Sequence, residues 1–527
     1  MDLYTIGFIL FLLTALAVYY AVGRWAKRGQ WVVLLVASLA FYAVSGWQNL
    51  AFIGVTALST WAGGRAFGAL EAKSKAARKA AESRDEKKAI KKQFTRKKRW
   101  VLVAMLLINF GILAYLKYAE VIVGYLAPES HWTVGILLPL GISFYTFQSI
   151  SYVIDTYNGK YEPEGNFARY LLFVSFFPQL IQGPINRFDL LAHQLYERHS
   201  FDGQEARRAV LQIGYGLFKK YAIANALFST VDVTFSHIDP STPGSMIVFG
   251  ILAYSAYQYA DFSGGIDMVL GVARLFGIQM SPNFRQPYFS VSLADFWRRW
   301  HITLGAWMRD YVFYPFALLP GVTRWGKHLT KHFGKHIGRT LPACVANIIV
   351  FFIVGLWHGA QTHFILWGIY NGLVIALSDL FVPAFQKLAT KLKINVKSGG
   401  YHVFAIVRTF VVVNIGWYFD AIPDFGSCMQ AFHNTVFNFN LGGFMTSLKW
   451  LSTQFGISHY WFCYSVAAIG IVFVFVVSLL KERGVDVTEK VLGLPVVVRG
   501  ALYTCVLFVT LFAMIYGTGG GFMYANF

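Results

Sequence analysis

Long apolar stretches recur along this chain from one end to the other, separated by short polar segments. A helix needs roughly 20 residues to cross about 30 Å of hydrocarbon. Stretches near that length lie at 4–22, 31–46, 50–70, 100–118, 132–154, 207–232, 244–262, 343–362, 363–382, 403–420, 459–480 and 497–516. The stretch 31–46 is short for a span and implies little tilt or a locally thinned bilayer. Segments 167–185 and 265–315 are aromatic but broken by Pro, Gly and charge. They read as re-entrant or interfacial pieces, which a membrane tolerates only where protein or a water-filled cavity covers them. The pattern predicts an all-α polytopic membrane protein with about eleven transmembrane helices, give or take two. The first apolar run has no basic n-region and no small-residue cleavage site, so it reads as a retained helix rather than a signal peptide.

Composition agrees with that pattern. Of 527 residues, 56% are apolar or aromatic and 14% are charged, against about 25% charged in an ordinary soluble domain. No Pro/Gly/Ser linker divides the chain, and one membrane domain over 1–527 is expected, with motifs in 130–380 and C-terminal helices in 390–527. The four cysteines, Cys344, Cys428, Cys463 and Cys505, have no CxxC spacing and fit buried, inert thiols better than a metal or redox site.

A net charge of +20 suggests nucleic acid until it is located. Residues 73–99 hold thirteen Lys and Arg against Glu82, Asp85 and Glu86, which is half the net charge in one segment between two apolar runs. Such a segment marks the cytoplasmic side and attracts anionic headgroups, and nothing beside it resembles a nucleic-acid module. Arg24, Lys27 and Arg28 fall on the same side after two further crossings, with the N-terminus and the Ala127–His131 turn outside. A second basic stretch, Arg324 to Arg339, carries His328, His332 and His336 at spacings of four. On one helix these would share a face. With no Cys, Asp or Glu nearby to complete a site, a basic amphipathic helix on the cytoplasmic leaflet is expected and no metal.

Two stretches place polar groups where lipid penalises them. In Asp295–Tyr311, read as one helix, Trp297, Trp300, His301, Leu304, Met308 and Tyr311 share a face, while Arg298, Ile302, Gly305 and Arg309 share another. His301 there is either a satisfied core residue or a functional one. His358 follows an unbroken apolar run from Val345, so it enters at depth. Gln361 and Thr362 follow at helical spacing, and Gly355 and Gly359 form a small-xxx-small pair that lets a backbone or a substrate approach closely. An ionisable residue within a membrane span is a functional hypothesis by default, although packing can also account for it. Imidazole is the usual general base near neutrality. The chain has no GxSxG elbow, no HExxH, no Walker loop and no paired intramembrane carboxylates. A base without its own nucleophile suits transfer to a hydroxyl that supplies its own oxygen.

At these residues the chain resembles the membrane-bound O-acyltransferase superfamily, in its bacterial branch of alginate and peptidoglycan O-acetylation and teichoic-acid D-alanylation. The matching stretches are Phe296–Pro315 (FWRRWHITLGAWMRDYVFYP), Gly355–Gly372 (GLWHGAQTHFILWGIYNG), Phe173–Arg187 (FVSFFPQLIQGPINR), Tyr152–Gly159 and the tail from Tyr516 to Phe527. The resemblance implies a ring of helices around a thin, funnelled centre, with His358 as the family's invariant histidine and His301 as the second histidine of this branch. It implies an acyl thioester donor arriving from the cytoplasm, acetyl-CoA or an acyl carrier, with no bound cofactor. It further implies a bacterial inner-membrane location, an exported SGNH esterase-like partner, and polysaccharide or peptidoglycan as final acceptor.

Expected substrate-binding residues are Arg298, Arg299, Gln361, Trp297, Trp300 and Asn371. Arg298 and Arg299 either hold the donor's phosphates or pair with Asp295, Asp310 or headgroups. Pro178, Gln179, Gly183 and Pro184, together with Gly355 and Gly359, are expected to shape the tunnel wall, with purely structural roles equally open for the first four. Acetyl transfer is favoured over D-alanyl transfer because helices continue past Leu380 and the histidine motif begins Gly-Leu-Trp rather than with Phe-Trp. A transporter or flippase is the reading from another class, and the absence of a second copy of either histidine motif argues against it.

Overall fold

A computed structural model of the chain describes residues 5–26, 29–127, 129, 138–236, 238–454 and 457–516. Lys27, Arg28, most of the Ala127–His131 turn and the Gly-rich tail after Tyr516 lie outside the described residues. Among those described the fold is helical, with an isolated antiparallel bridge between Phe284 and Trp300 as its extended pairing. Among the described residues seven helices are long and apolar enough to cross a membrane. They coincide with seven of the twelve apolar stretches. The stretches 31–46, 50–70, 207–232 and 244–262, and the described part of 132–154, are helical over most of their length without meeting both conditions.

The chain forms two compact units. The first takes the residues up to Ile213 and the segment Met268–Ser281. It contains α1 (Ile6–Trp25), α2 (Gln30–Val44), α3 (Asn49–Ala80), α4 (Arg84–Leu126), α5 (Ile142–Tyr157), α6 (Phe167–Ser175), α7 (Phe177–Gln182), α8 (Phe188–Tyr196) and most of α9 (Gly203–Phe218). Aromatic rings fill its interior: Tyr152 packs on Tyr170 at 4.5 Å between centroids, and Phe177 on Phe11 at 5.3 Å.

The basic segment 73–99 is not a loop, and that expectation is corrected. It is the end of α3 and the first four turns of α4, with a break only at Ala81–Ser83. The Ser83 hydroxyl accepts from the Glu86 amide at 3.0 Å, a cap that starts a new helix at once. Lys98 reaches Glu71 at 3.3 Å and ties the two helices together. At 1.5 Å per residue, the sixteen charged-rich residues Arg84–Arg99 carry α4 about 24 Å beyond its apolar part.

The second unit takes Gly214–Asp267 and the described residues from Pro282 onward. Its helices are a π-helical turn at Lys219–Asn225, α10 (Ala226–Ser236), most of α11 (Gly244–Leu275), α12 (Leu293–Arg299), α13 (Ile302–Met308), α14 (Tyr314–Ala317), α15 (Pro320–His358), α16 (Thr362–Leu380), α17 (Val382–Lys391), α18 (Gly399–Ala421), α19 (Phe425–Phe437), α20 (Leu441–Gln454), α21 (Ile457–Glu482), α22 (Val487–Leu492) and α23 (Val496–Tyr516).

The basic stretch 324–339 is also not one amphipathic helix. α15 is broken at Gly334, whose φ of 84° and ψ of 168° suit glycine alone, and its two arms fold back so closely that a Cβ on Gly338 would strike the Thr330 amide nitrogen. His328 and His332 stay adjacent, whereas His336 lies past the break and contacts the Leu380 carbonyl oxygen at 3.0 Å. The three histidines therefore share no face.

Candidate active site

His358 is the last residue of α15. Gly359 follows in an extended conformation, and Gln361 caps the start of α16, so the turn between the two helices is three residues long. The helices pack along glycines. A Cβ on Gly355 would fall on the Phe364 carbonyl oxygen, and one on Gly368 on that of Phe351. Of the two readings of the Gly355/Gly359 pair, the close approach at Gly355 is that of backbone to backbone. This seam sets the His358 ring, itself 6% exposed, against three aromatic rings. They are Trp357 at 4.9 Å, Trp367 at 5.0 Å and Phe364 at 5.8 Å.

The other histidine arrives on a different segment. The expected single helix over Asp295–Tyr311 breaks at Trp300–His301, which corrects the shared-face reading. Arg285 donates its amide to the Arg299 carbonyl and Ile302 to that of Asn283, at 2.9 and 3.0 Å. These bonds clamp His301 in the left-handed region, φ 47° and ψ 51°, uncommon for any residue with a side chain. Asn283 then caps α13: its Oδ1 accepts from the Thr303 amide at 3.0 Å and the Thr303 hydroxyl at 2.9 Å. The His301 ring is 2% exposed and packs on Phe262 at 4.9 Å and on Trp357 at 6.0 Å. Burial pushes its imidazole down to about 3. His301 and His358 thus both touch the indole of Trp357.

Around them the tryptophans interlock. Trp297 packs on Trp367 at 5.4 Å and donates Nε1–H to the Asn371 Oδ1 at 3.0 Å, while Asn371 Nδ2 donates to the Trp367 carbonyl at 2.8 Å. Trp300 stacks on Phe296 at 5.4 Å and meets Trp417 at 5.7 Å, and Trp417 stacks on Trp367 at 6.4 Å. The structure therefore brings together His358, His301, Trp297, Trp300, Asn371 and Gly355.

Other expected residues lie elsewhere. Gln361 and Thr362 are exposed at the start of α16 and share no helical face with His358. Arg299 is held by Asp295 at 3.2 Å and by both Glu482 oxygens at 2.8 and 2.9 Å, the ion-paired one of its two readings. Arg298 is exposed. Pro178, Gln179, Gly183 and Pro184 are buried in the first unit, around a tight turn in which a Cβ on Gly183 would strike the Gln179 Cα. Gln179 there donates to the Phe173 carbonyl at 2.6 Å and accepts from Asn186 at 3.2 Å.

Several buried groups escaped sequence reasoning. Asn283 sits in a loop without periodicity, and Trp417 lies inside an ordinary-looking apolar helix. Lys220 and Asp261, each at most 2% exposed by side chain, pair at 2.6 Å, and Lys219 pairs with Asp267 at 2.6 Å and Ser263 at 2.8 Å. Asp420 in α18 accepts from Tyr254 at 2.7 Å and Gln258 at 3.0 Å. Charges inside the apolar stretches 207–232, 244–262 and 403–420 were the available signal for Lys219, Lys220, Asp261 and Asp420, since such groups persist in a membrane only when paired. Among the described residues no group of three or more His, Cys, Asp or Glu could hold a metal ion.

Two buried histidines thus pack on one tryptophan in a helical protein with seven candidate membrane spans among its described residues. The chain belongs to the membrane-bound O-acyltransferase family, which it matches over residues 165–411. It is 34% identical to the probable alginate O-acetylase of Pseudomonas syringae pv. tomato, over 77% of this chain and 70% of that protein. It is 30% identical to the peptidoglycan O-acetyltransferase of Helicobacter pylori, over 64% and 65%. It is 28% identical to the teichoic acid D-alanyltransferase of Bacillus subtilis, over 53% and 67%. Family membership makes the protein an enzyme and sets the transporter reading aside.

Proposed function

We propose that this enzyme O-acetylates a cell-surface polysaccharide or peptidoglycan from the inner membrane of a bacterium, with acetyl-CoA or another acyl thioester as donor. The observation that carries the reading is the packing of His358 and His301 on one indole ring, away from any competing nucleophile motif. His358 is the general base. It takes the proton of the acceptor hydroxyl as that oxygen bonds to the thioester carbonyl carbon; the carbon–sulfur bond then breaks, and the thiolate leaves with the proton returned by His358. His301 positions the reacting groups by hydrogen bonding. The tryptophans, with Asn371 locking Trp297, keep the site dry and its rings fixed. Arg298, exposed and not held as Arg299 is, is the better candidate for the donor's phosphates. An exported SGNH esterase-like protein relays the acyl group to the glycan.

His358→Gln tests the assignment. At normal protein level in membranes, acyl transfer should fall on the order of 10²–10⁴-fold, the usual contribution of a general base. Full activity in that variant would remove His358 from the chemistry. D-alanyl transfer is the second reading, favoured by the match to the Bacillus subtilis D-alanyltransferase. Mass spectrometry of surface glycans with and without the protein separates the two, because an acetyl and a D-alanyl ester differ in mass.

A further inference from the structure

Asn283 is 1% exposed, and one atom of its amide serves three neighbours. That atom, Oδ1, lies 3.0 Å from the Thr303 amide nitrogen, 2.9 Å from the Thr303 hydroxyl and 3.3 Å from Nδ1 of His301. A backbone N–H can only donate, so the atom facing Thr303 must be the amide oxygen rather than its nitrogen. An amide oxygen can only accept, so the proton between Asn283 and His301 belongs to the imidazole. Neutral imidazole carries one proton, and with Nδ1 holding it, Nε2 carries the lone pair. The left-handed backbone at His301 holds the ring in this register, because the same loop supplies both the Ile302–Asn283 backbone bond and the side-chain bond.

We infer that Asn283 is a positioning residue which fixes His301 as its Nδ1–H tautomer, so that Nε2 can only accept a hydrogen bond, from a donor on the acceptor other than the hydroxyl proton that His358 takes, and cannot donate one to the thioester carbonyl. The inference rests on the O-acyltransferase reading and sharpens it: His301 belongs to the hydroxyl side of the reaction, alongside His358, and the developing oxyanion is stabilised by other donors. The tautomer holds only while His301 stays neutral, and its surroundings keep it so. Burial is the larger influence on its proton affinity, opposed by a backbone hydrogen bond. The charged or titratable groups on the elements packed against it include Asp261 beside Phe262, paired with Lys220; Asp267 on the same helix, paired with Lys219; His358 beside Trp357; Arg285 on the clamping segment; and Asp295, Arg298 and Arg299 ahead of Trp300, with Arg299 paired to Asp295 and Glu482.

The test uses the full-length protein in lipid nanodiscs, labelled with 15N-histidine, with acetyl-CoA as donor. His301→Gln identifies the His301 resonances by difference. The expected wild-type spectrum has a proton-bearing Nδ1 and an unprotonated Nε2 at His301; a proton on Nε2 overturns the inference whether or not the Asn283 variants fold. Asn283→Ala should lower kcat on the order of 10²–10⁴-fold, the upper end being the effect of a wrong histidine tautomer in a serine protease, with the donor KM changed less than about twofold. Asn283→Asp retains an accepting oxygen but adds a negative charge that favours the imidazolium. It should therefore recover activity at high pH and lose it as pH falls through the raised His301 pKa, a limb missing from the wild type. An Asn283→Asp profile identical to wild type, or an Asn283→Ala loss no larger than its loss of folded protein, also overturns it. Failure of the O-acyltransferase reading would look different: the wild type itself would form no ester, whatever the state of His301.

Discussion

Arg298 and Arg299 are neighbours in sequence with opposite circumstances, and a pair of alanine variants should separate them. Arg299 is fastened to Asp295 and Glu482 and joins α12 to the end of α21. Arg299→Ala should cost about 1 kcal/mol, the range of a partly exposed pair, seen as a lower thermal midpoint. Arg298→Ala should leave the midpoint unchanged and raise the donor KM about tenfold, the size of one lost charge-assisted hydrogen bond. If the KM effect appears at Arg299 and not at Arg298, the phosphate assignment is reversed. Sequence reasoning named both arginines and both kinds of partner but could not divide them, because Glu482 lies 183 residues away. His358 was legible for a local reason: an ionisable group ending an apolar run is visible in one dimension. Asn283 was not, since its importance comes from one amide oxygen meeting a backbone bend eighteen residues on.

Among the elements, α15 and α16 depend on absent side chains. Gly355→Val should force the helices apart against the Phe364 carbonyl and cost up to about 3 kcal/mol, the upper range for overpacking. Gly111→Ala is the matching control, since nothing lies within 4 Å of its would-be Cβ in α4; it should be neutral or stabilise by up to about 1 kcal/mol. Thermal unfolding followed by size-exclusion chromatography in detergent reads both, and equal midpoints would mean the seam tolerates width. Periodicity located these helices well because lipid demands long apolar runs. It failed at Trp300–His301, where the residues on either side still obey helical spacing while the clamp from Asn283 and Arg285 turns the backbone left-handed. It failed again at Gly334, where a uniform basic pattern continues across a fold-back that a glycine alone permits.

For the whole molecule, the basic helical hairpin of α3 and α4 offers a test of orientation. Trypsin should cut near Arg84, in the exposed break after Ala81, when added to inverted vesicles whose cytoplasmic face is outward, and spare it in intact spheroplasts. Cleavage from the periplasmic side alone would invert the proposed topology. The short turn after His358 has a consequence for biosynthesis. With three residues between them, α15 and α16 leave the ribosome in immediate succession and can close on each other as soon as both are inserted. The segment carrying Asn283 and His301 has by then already been made. Trp417, which lies against both Trp300 and Trp367, is translated last of the site's residues. Both histidines of the candidate site are thus synthesised before the last of its aromatic rings.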